Sequence, residues 1–304
     1  MRRRDFIKVG SAALAGLSVF PLDWVCGAEA ARTKAAKTKK VLYFTACAGF
    51  VHSPVNRKGG RLSHSEKVLT EMGKWAGYEV ECTQDGAVFD GSLDAYDAIA
   101  FYTSGDLTKK SKDNRQPMSP AGKQRLLDAV AAGKGFVGFH SATDTFHSAG
   151  KRNETQTELD PYLAMLGGEF IKHDAQQEAS LLIVSHFPGV GGLGCAEGLS
   201  FYEEWYALKN FAKDLHVILV QETDKMAGPS YQRPSFPCTW ARMHGKGRVF
   251  YTSLGHREDV WTNPFFQAIV QGGMAWAMGN VNAGVKPNLD QVTPHASQLS
   301  QAKP

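Results

Sequence analysis

The sequence predicts a doubly wound α/β fold on one large, mainly parallel sheet. Three observations carry that expectation: short apolar runs without polar alternation, helical stretches between them, and Gly- or His-containing turns after each run. The first strand is Val41-Leu42-Tyr43-Phe44-Thr45-Ala46, continuous in the manner of a strand covered on both faces. A loop rich in Gly, His and Pro follows, then a helical stretch that sets Leu62, Leu69, Met72 and Trp75 on one apolar face. Tyr78 to Thr83 and Ala98 to Thr103 read as the second and third strands. Ser119 as N-cap and Pro120 at the first helical position open a further helix, and Gly133 closes it. Phe136-Val137-Gly138-Phe139 is the fourth strand.

The second half is more mixed. Ala179 to His186 and Leu215 to Glu222 read as strands. Pro237 to Met243 and Arg248 to Ser253 pair as a hairpin across Gly245-Lys246-Gly247, a C-terminal addition to the parallel sheet. Asn263 to Met278 form the last helix, with Pro264 in its first turn and Gly279 just beyond. The expected organisation is a targeting segment over 1–30, a basic linker over 31–40, one domain over 41–281 and a loose polar tail over 282–304.

Composition narrows the function classes. A hydrophobic content of 43% is ample for a core, and no stretch of the mature chain approaches a membrane span. The formal charge of +4 is unevenly placed: residues 1–30 contribute +1 and residues 31–40 contribute +5, which leaves −2 for the remainder. A nucleic-acid binder needs a basic face on the folded domain itself, and this body is slightly acidic. The expected partner is a small molecule, with neither nucleic acid nor membrane bound by the mature form. Arg3-Arg4-Asp5-Phe6-Ile7-Lys8 resembles the twin-arginine export motif, Val9 to Phe20 supply a short apolar core, and Ala28-Glu29-Ala30 is a small-x-small cleavage pattern. Export, to the periplasm or beyond, is the expectation. Cys47, Cys82, Cys195 and Cys238 remain in the mature chain. None forms a C-x-x-C pair, so they read as buried thiols rather than a redox motif or zinc knot.

Open α/β sheets bind ligands beyond the carboxyl ends of their strands. Gly49 and His52 follow the first strand, and Ser104, Gly105 and Asp106 the third. His140, Ser141, Thr143, Asp144 and His147 follow the fourth, and Gly255, His256, Arg257, Glu258 and Asp259 the hairpin. The sharpest of these is Gly138-Phe139-His140-Ser141-Ala142, which has the small-neighbour pattern of a nucleophile elbow with an imidazole at its apex. Histidine moves protons near neutral pH or ligates a metal. His140, Asp144 and His147 are spaced to offer three metal ligands, zinc among the divalent ions considered. Glu203-Glu204-Trp205-Tyr206 joins carboxylates to aromatic rings, a combination suited to sugars, although a strand edge with a packed Trp has the same composition.

Gly135 to Asp144, Leu166-Gly167-Gly168-Glu169-Phe170, Glu203 to Tyr206, Pro237 to Arg242 and Gly245 to His256 together resemble the signatures of ThuA-like, trehalose-utilisation proteins. The resemblance spans about residues 40 to 280. It implies a flavodoxin-like sheet akin to class I glutamine amidotransferases, but His140 stands where those enzymes carry cysteine, which argues against glutamine hydrolysis. It also implies work on disaccharides, including 3-keto sugars, whose C2 proton is acidified by the neighbouring carbonyl. On that reading His140, Asp144, His256 and His52 are catalytic. Glu204, Trp205, Tyr206, Arg242, Ser104 and Asp106 then contact substrate. A metal-dependent hydrolase on the same rim and a sugar-binding protein without catalysis remain open alternatives.

Overall fold

The computed structural model describes residues 37–111, 115–190 and 199–300. The expected leader and Cys195 lie outside them. Among the described residues eleven strands occur in chain order: β1 (Lys39–Phe44), β2 (Tyr78–Thr83), β3 (Ala98–Phe101), β4 (Gly135–Phe139), β5 (Glu169–Lys172), β6 (Gln177–Ile183), β7 (Leu199–Glu203), β8 (Ala207–Lys209), β9 (His216–Gln221), β10 (Phe236–His244) and β11 (Gly247–Thr252). The α-helices are α1 (His64–Ala76), α2 (Pro120–Ala131), α3 (Pro161–Leu166), α4 (Glu258–Trp261), α5 (Pro264–Ala277) and α6 (Leu289–Val292).

Nine strands form one sheet in the order β2-β1-β3-β4-β11-β10-β9-β6-β7, and β5 pairs with β8 in a small second sheet. The pairings among β2, β1, β3, β4 and β11 are parallel. Beyond β11 each neighbour runs antiparallel to the last. Those alternating directions matter for the site, because β7 thereby ends at the same rim as β1, β4 and β11. The hairpin read from the sequence is β10–β11.

Successive residues of β1 enter two different cores. Val41 and Tyr43 pack with Leu69 and Met72 of α1 and Phe266, Ile269 and Val270 of α5. Leu42 and Phe44 pack with Leu126 and Val130 of α2 and Leu163 and Leu166 of α3. This period-2 division explains the continuous apolar run: both faces are covered, each fully buried large side chain contributing about 1.5–3 kcal/mol. Cys238 is a buried free thiol and Cys82 a half-buried one.

Helix ends follow local chemistry. The Ser119 side chain accepts from Gly122 N at the start of α2, and Ser63 with Glu66 forms a capping box on α1. Two expectations are corrected. Trp75 is 80% exposed and Leu62 precedes α1, so the buried stripe of that helix is carried by Leu69 and Met72. The segment beginning at 282 is not loose over its described part. Leu289 and Ala296 are buried, Asn288 Nδ2 donates to Val217 O while its Oδ1 accepts from Val217 N, and Arg233 donates to Ala296 O. No helix among the described residues is long and apolar enough to cross a membrane.

Candidate metal centre

Four side chains from four separate segments meet at the carboxyl rim: His52 beyond β1, His140 at the end of β4, Glu204 at the end of β7, and His256 beyond β11. Their ligand atoms all lie within 4.8 Å of one another. Glu204 Oε2 is 3.0 Å from His256 Nδ1, 3.4 Å from His140 Nε2 and 3.9 Å from His52 Nε2. His140 Nε2 and His256 Nδ1 are 3.3 Å apart. Adjacent ligands on one ion at 2.0–2.1 Å stand about 3 Å apart, so the shorter of these separations are compatible with a shared cation.

The backbone at each donor is held firmly. His140 has φ 40°, a left-handed conformation that costs a non-glycine residue about 1–2 kcal/mol. Its carbonyl accepts from Tyr251 O–H at 2.8 Å, and its Nδ1 lies 2.8 Å from the Ser253 carbonyl. That carbonyl accepts only, so Nδ1 carries the proton and Nε2 presents its lone pair. Gly255, at φ 109°, turns the chain ahead of His256, and its carbonyl accepts from both Tyr102 O–H and Trp261 Nε1–H. Glu203 ties the two sides together. Its Oε1 accepts from Glu204 N, while its Oε2 accepts from Gly255 N and His256 N.

Electrostatics match a cation site. Burial lowers the pKa of His140, and burial with the neighbouring His140 and His256 imidazoles lowers that of His52 well below the usual range, so both rings are neutral. Burial works against ionisation of Glu204, but the adjoining His140 and His256 side chains outweigh it and hold the carboxyl far below its ordinary value. Neutral His52 and His140 rings beside an ionised Glu204 are protonation states that a divalent ion requires of its ligands. Burial raises Glu203 to about 7 against the pull of its three backbone donors.

The other expected site residues divide by place. Tyr206 lies at the centre: its hydroxyl is 3.2 Å from His52 Nε2 and its ring 4.1 Å from the His140 ring. Ser104 supports the rim from below by donating to Phe50 O. Asp144 accepts from His147, and His147 in turn reaches Glu169 rather than His140, so the expected His140–Asp144–His147 ligand set does not assemble. The segment His140–Asp144 is a 3-10 turn, whose geometry sends these side chains apart. Asp106 is exposed and caps its own turn at Thr108. Trp205 is 0% exposed and donates to Gln177 O, which makes it a packing residue. Arg242 lies toward the opposite end of β10 and donates to Ala164 O and Met165 O with Asp214 beside it.

Sequence reasoning saw Glu203 only within the sugar-suited Glu203–Tyr206 stretch, placed His173 as intermediate, and did not name either of them or Gln176 as a site residue. His173 Nδ1 is 3.5 Å from Glu204 Oε1, with its ring stacked on Tyr206, and the Gln176 amide is 3.0 Å from His256 Nε2. The adjacent His173-Asp174 pair was the available signal for the first of these.

The family model for trehalose utilisation, ThuA, matches residues 40–277. The chain belongs to the ThuA family. The membership supports a protein connected with carbohydrate use, and the rim cluster falls within the matched span. Among solved structures, a ThuA-like protein from Bacteroides uniformis is similar at 17% identity and TM-score 0.56, covering 83% of this chain and 95% of that one. Another from Parabacteroides merdae is similar at 18% identity and TM-score 0.56, covering 87% and 97% respectively. At these identities the likeness concerns the fold, and it agrees with a flavodoxin-like α/β sheet. No curated protein matches this ThuA chain.

Proposed function

We propose that this ThuA protein is a divalent-metal-dependent enzyme that cleaves a carbohydrate, with His52, His140, Glu204 and His256 holding the ion. The observation that carries the reading is the convergence of four donor atoms within 4.8 Å from four distant segments. Burying three imidazoles and a carboxylate together is costly without a cation to share, and a metal bond offsets that cost. His52 makes the point: its Nδ1 is buried with no hydrogen-bond partner among the described residues, while its Nε2 faces the cluster, 3.9 Å from Glu204 Oε2 and 3.2 Å from the Tyr206 hydroxyl.

A bound divalent ion supplies Lewis acidity toward a substrate oxygen. Four protein ligands fill a tetrahedron, so a catalytic ion here is one that accepts five or six ligands, which favours manganese, iron, cobalt or nickel over four-coordinate zinc. The chain does the rest. Glu203 fixes Glu204 and His256 against each other, and Ser253 fixes the His140 tautomer. Burial holds the Tyr206 hydroxyl protonated, so with His52 Nε2 given to the ion it is a donor available to a substrate oxygen. Keto-disaccharides are the first substrates to test, because a carbonyl acidifies the neighbouring proton and a cationic site strengthens that effect. The twin-arginine-like leader supports an exported location, which cell fractionation tests.

The functional test is turnover of trehalose and its 3-keto derivative by wild type, chelator-stripped and re-metallated protein. The reading expects activity that vanishes on stripping and returns with one divalent ion. Undiminished turnover in stripped protein overturns the metal-dependent part.

A further inference from the structure

The structure assigns Phe50 as an aromatic platform for a pyranose ring, with Gln176 and Arg257 as the adjoining hydroxyl-reading wall; the assignment rests on the carbohydrate reading of the rim. Phe50 is 66% exposed, and its ring meets the His52 ring edge to face at 5.0 Å. Two other large aromatics, Trp75 and Tyr202, are also well exposed. Of the three, Phe50 is the one in ring contact with a donor of the four-residue cluster.

The exposure is imposed by the backbone rather than by a lack of anchoring. Phe50 O accepts from Ser104 Oγ at 2.6 Å, and Ala48 N and Gly49 N both donate to Ser104 O. Gly49 and Gly105 pack so closely that a Cβ on Gly105 would fall 2.4 Å from Gly49 N. A loop pinned this tightly holds a phenyl face toward solvent at a fixed place, which costs hydrophobic free energy and is repaid when an apolar ring face covers it.

Polar groups suited to hydroxyls adjoin that platform. The His52 and His256 rings are 5.3 Å apart, so one imidazole separates Phe50 from His256. His256 lines a groove of about 370 Å³ together with Ser53, Gln176, Arg257, Glu258 and Asp259. Gln176 bridges the rim, its amide nitrogen 3.0 Å from His256 Nε2 and its carbonyl accepting from Arg257 at 3.1 Å. The Arg257 guanidinium is further aligned by Asp259. An exposed aromatic ring beside amide and guanidinium groups is the pairing that a sugar's apolar face and hydroxyls require. A flat apolar ligand would leave the groove's polar groups unanswered, and a simple anion would leave Phe50 uncovered.

The test is direct binding of trehalose and methyl α-glucopyranoside, read by saturation-transfer NMR and calorimetry on metal-loaded and metal-stripped protein. Phe50→Ala is expected to weaken binding about 10-fold, with metal content unchanged, and Phe50→Trp to retain it. Trp75→Ala, at an exposed aromatic on α1, is expected to bind as wild type does. No sugar binding by wild type, or equal binding by Phe50→Ala, overturns the assignment. Sugar binding that survives in metal-stripped protein supports the platform on its own, whereas the metal-dependent reading stands or falls on turnover by stripped protein, so the two failures are distinct.

Discussion

At the scale of single residues, His140 carries both a conformational cost and a chemical role. Its φ of 40° is one that glycine adopts freely and alanine does not. In metal-free protein, His140→Gly is therefore expected to be about 1 kcal/mol more stable than His140→Ala, read from urea midpoints. Equal midpoints would mean that the turn relaxes. Glu203 is the second such residue. Gln at 203 keeps one acceptor oxygen but turns an amide N–H toward backbone donors, so Glu203→Gln is expected to lower metal affinity about 10- to 100-fold while the fold persists. Titration calorimetry with a divalent ion measures it; unchanged affinity would remove Glu203 from the site's support.

These two residues also show what was legible. His52, His140 and His256 stood out because each follows an apolar run whose carboxyl end had to reach one rim, and topology alone brings them together. Glu203 was not separated from its neighbours, because two of its three partners are backbone N–H groups about fifty positions away and no side-chain motif encodes them. Trp205 misled for the opposite reason: an aromatic beside acids reads as a sugar contact whether its ring faces ligand or core. Arg242 misled by its place in a family-like motif, since a strand's direction decides which end of it meets the rim.

At the scale of elements, the long strands and capped helices were readable, and the short pieces were not. β5, β7 and β8 have four, five and three residues, too few for a period to declare itself. Yet β5 carries Glu169, which joins the 147–148 turn to the β8 region. Its carboxylate accepts from Ser148 N, Ser148 Oγ and Asn210 Nδ2, with His147 and Lys209 alongside. Burial opposes ionisation here, but hydrogen bonds from His147, Ser148 and Asn210, with the Lys209 charge, hold Glu169 at about 2. A folded pKa below the unfolded value near 4.3 means stabilisation that is complete above that value and lost as pH falls toward 2. The stability gap between wild type and Glu169→Gln is therefore expected to be widest above pH 5 and to close toward pH 2. Acid titration of urea midpoints checks it, and a pH-independent gap contradicts it.

At the scale of the whole molecule, the parallel half of the sheet builds the rim and the antiparallel wing returns Glu204 to it. The fold class was evident from buried runs and alternating elements, whereas the wing's return was not, because sheet order is a tertiary property. The C-terminal segment extends the same lesson. Its polar composition suggested a loose tail, but Asn288 satisfies both backbone groups of Val217 and Leu289 fills a core position. Truncation after residue 287 is expected to cost about 3 kcal/mol in unfolding free energy, from one buried leucine and the lost hydrogen bonds. A truncated chain as stable as the full one would show that these contacts add nothing.

The central claim is that four side chains hold one ion, and elemental analysis of purified protein tests it most directly. Wild type, purified without chelators and exposed to divalent ions, is expected to carry one metal per chain, with His140→Ala and Glu204→Gln carrying essentially none. A metal-free wild type, or a metal retained undiminished in both variants, would contradict it.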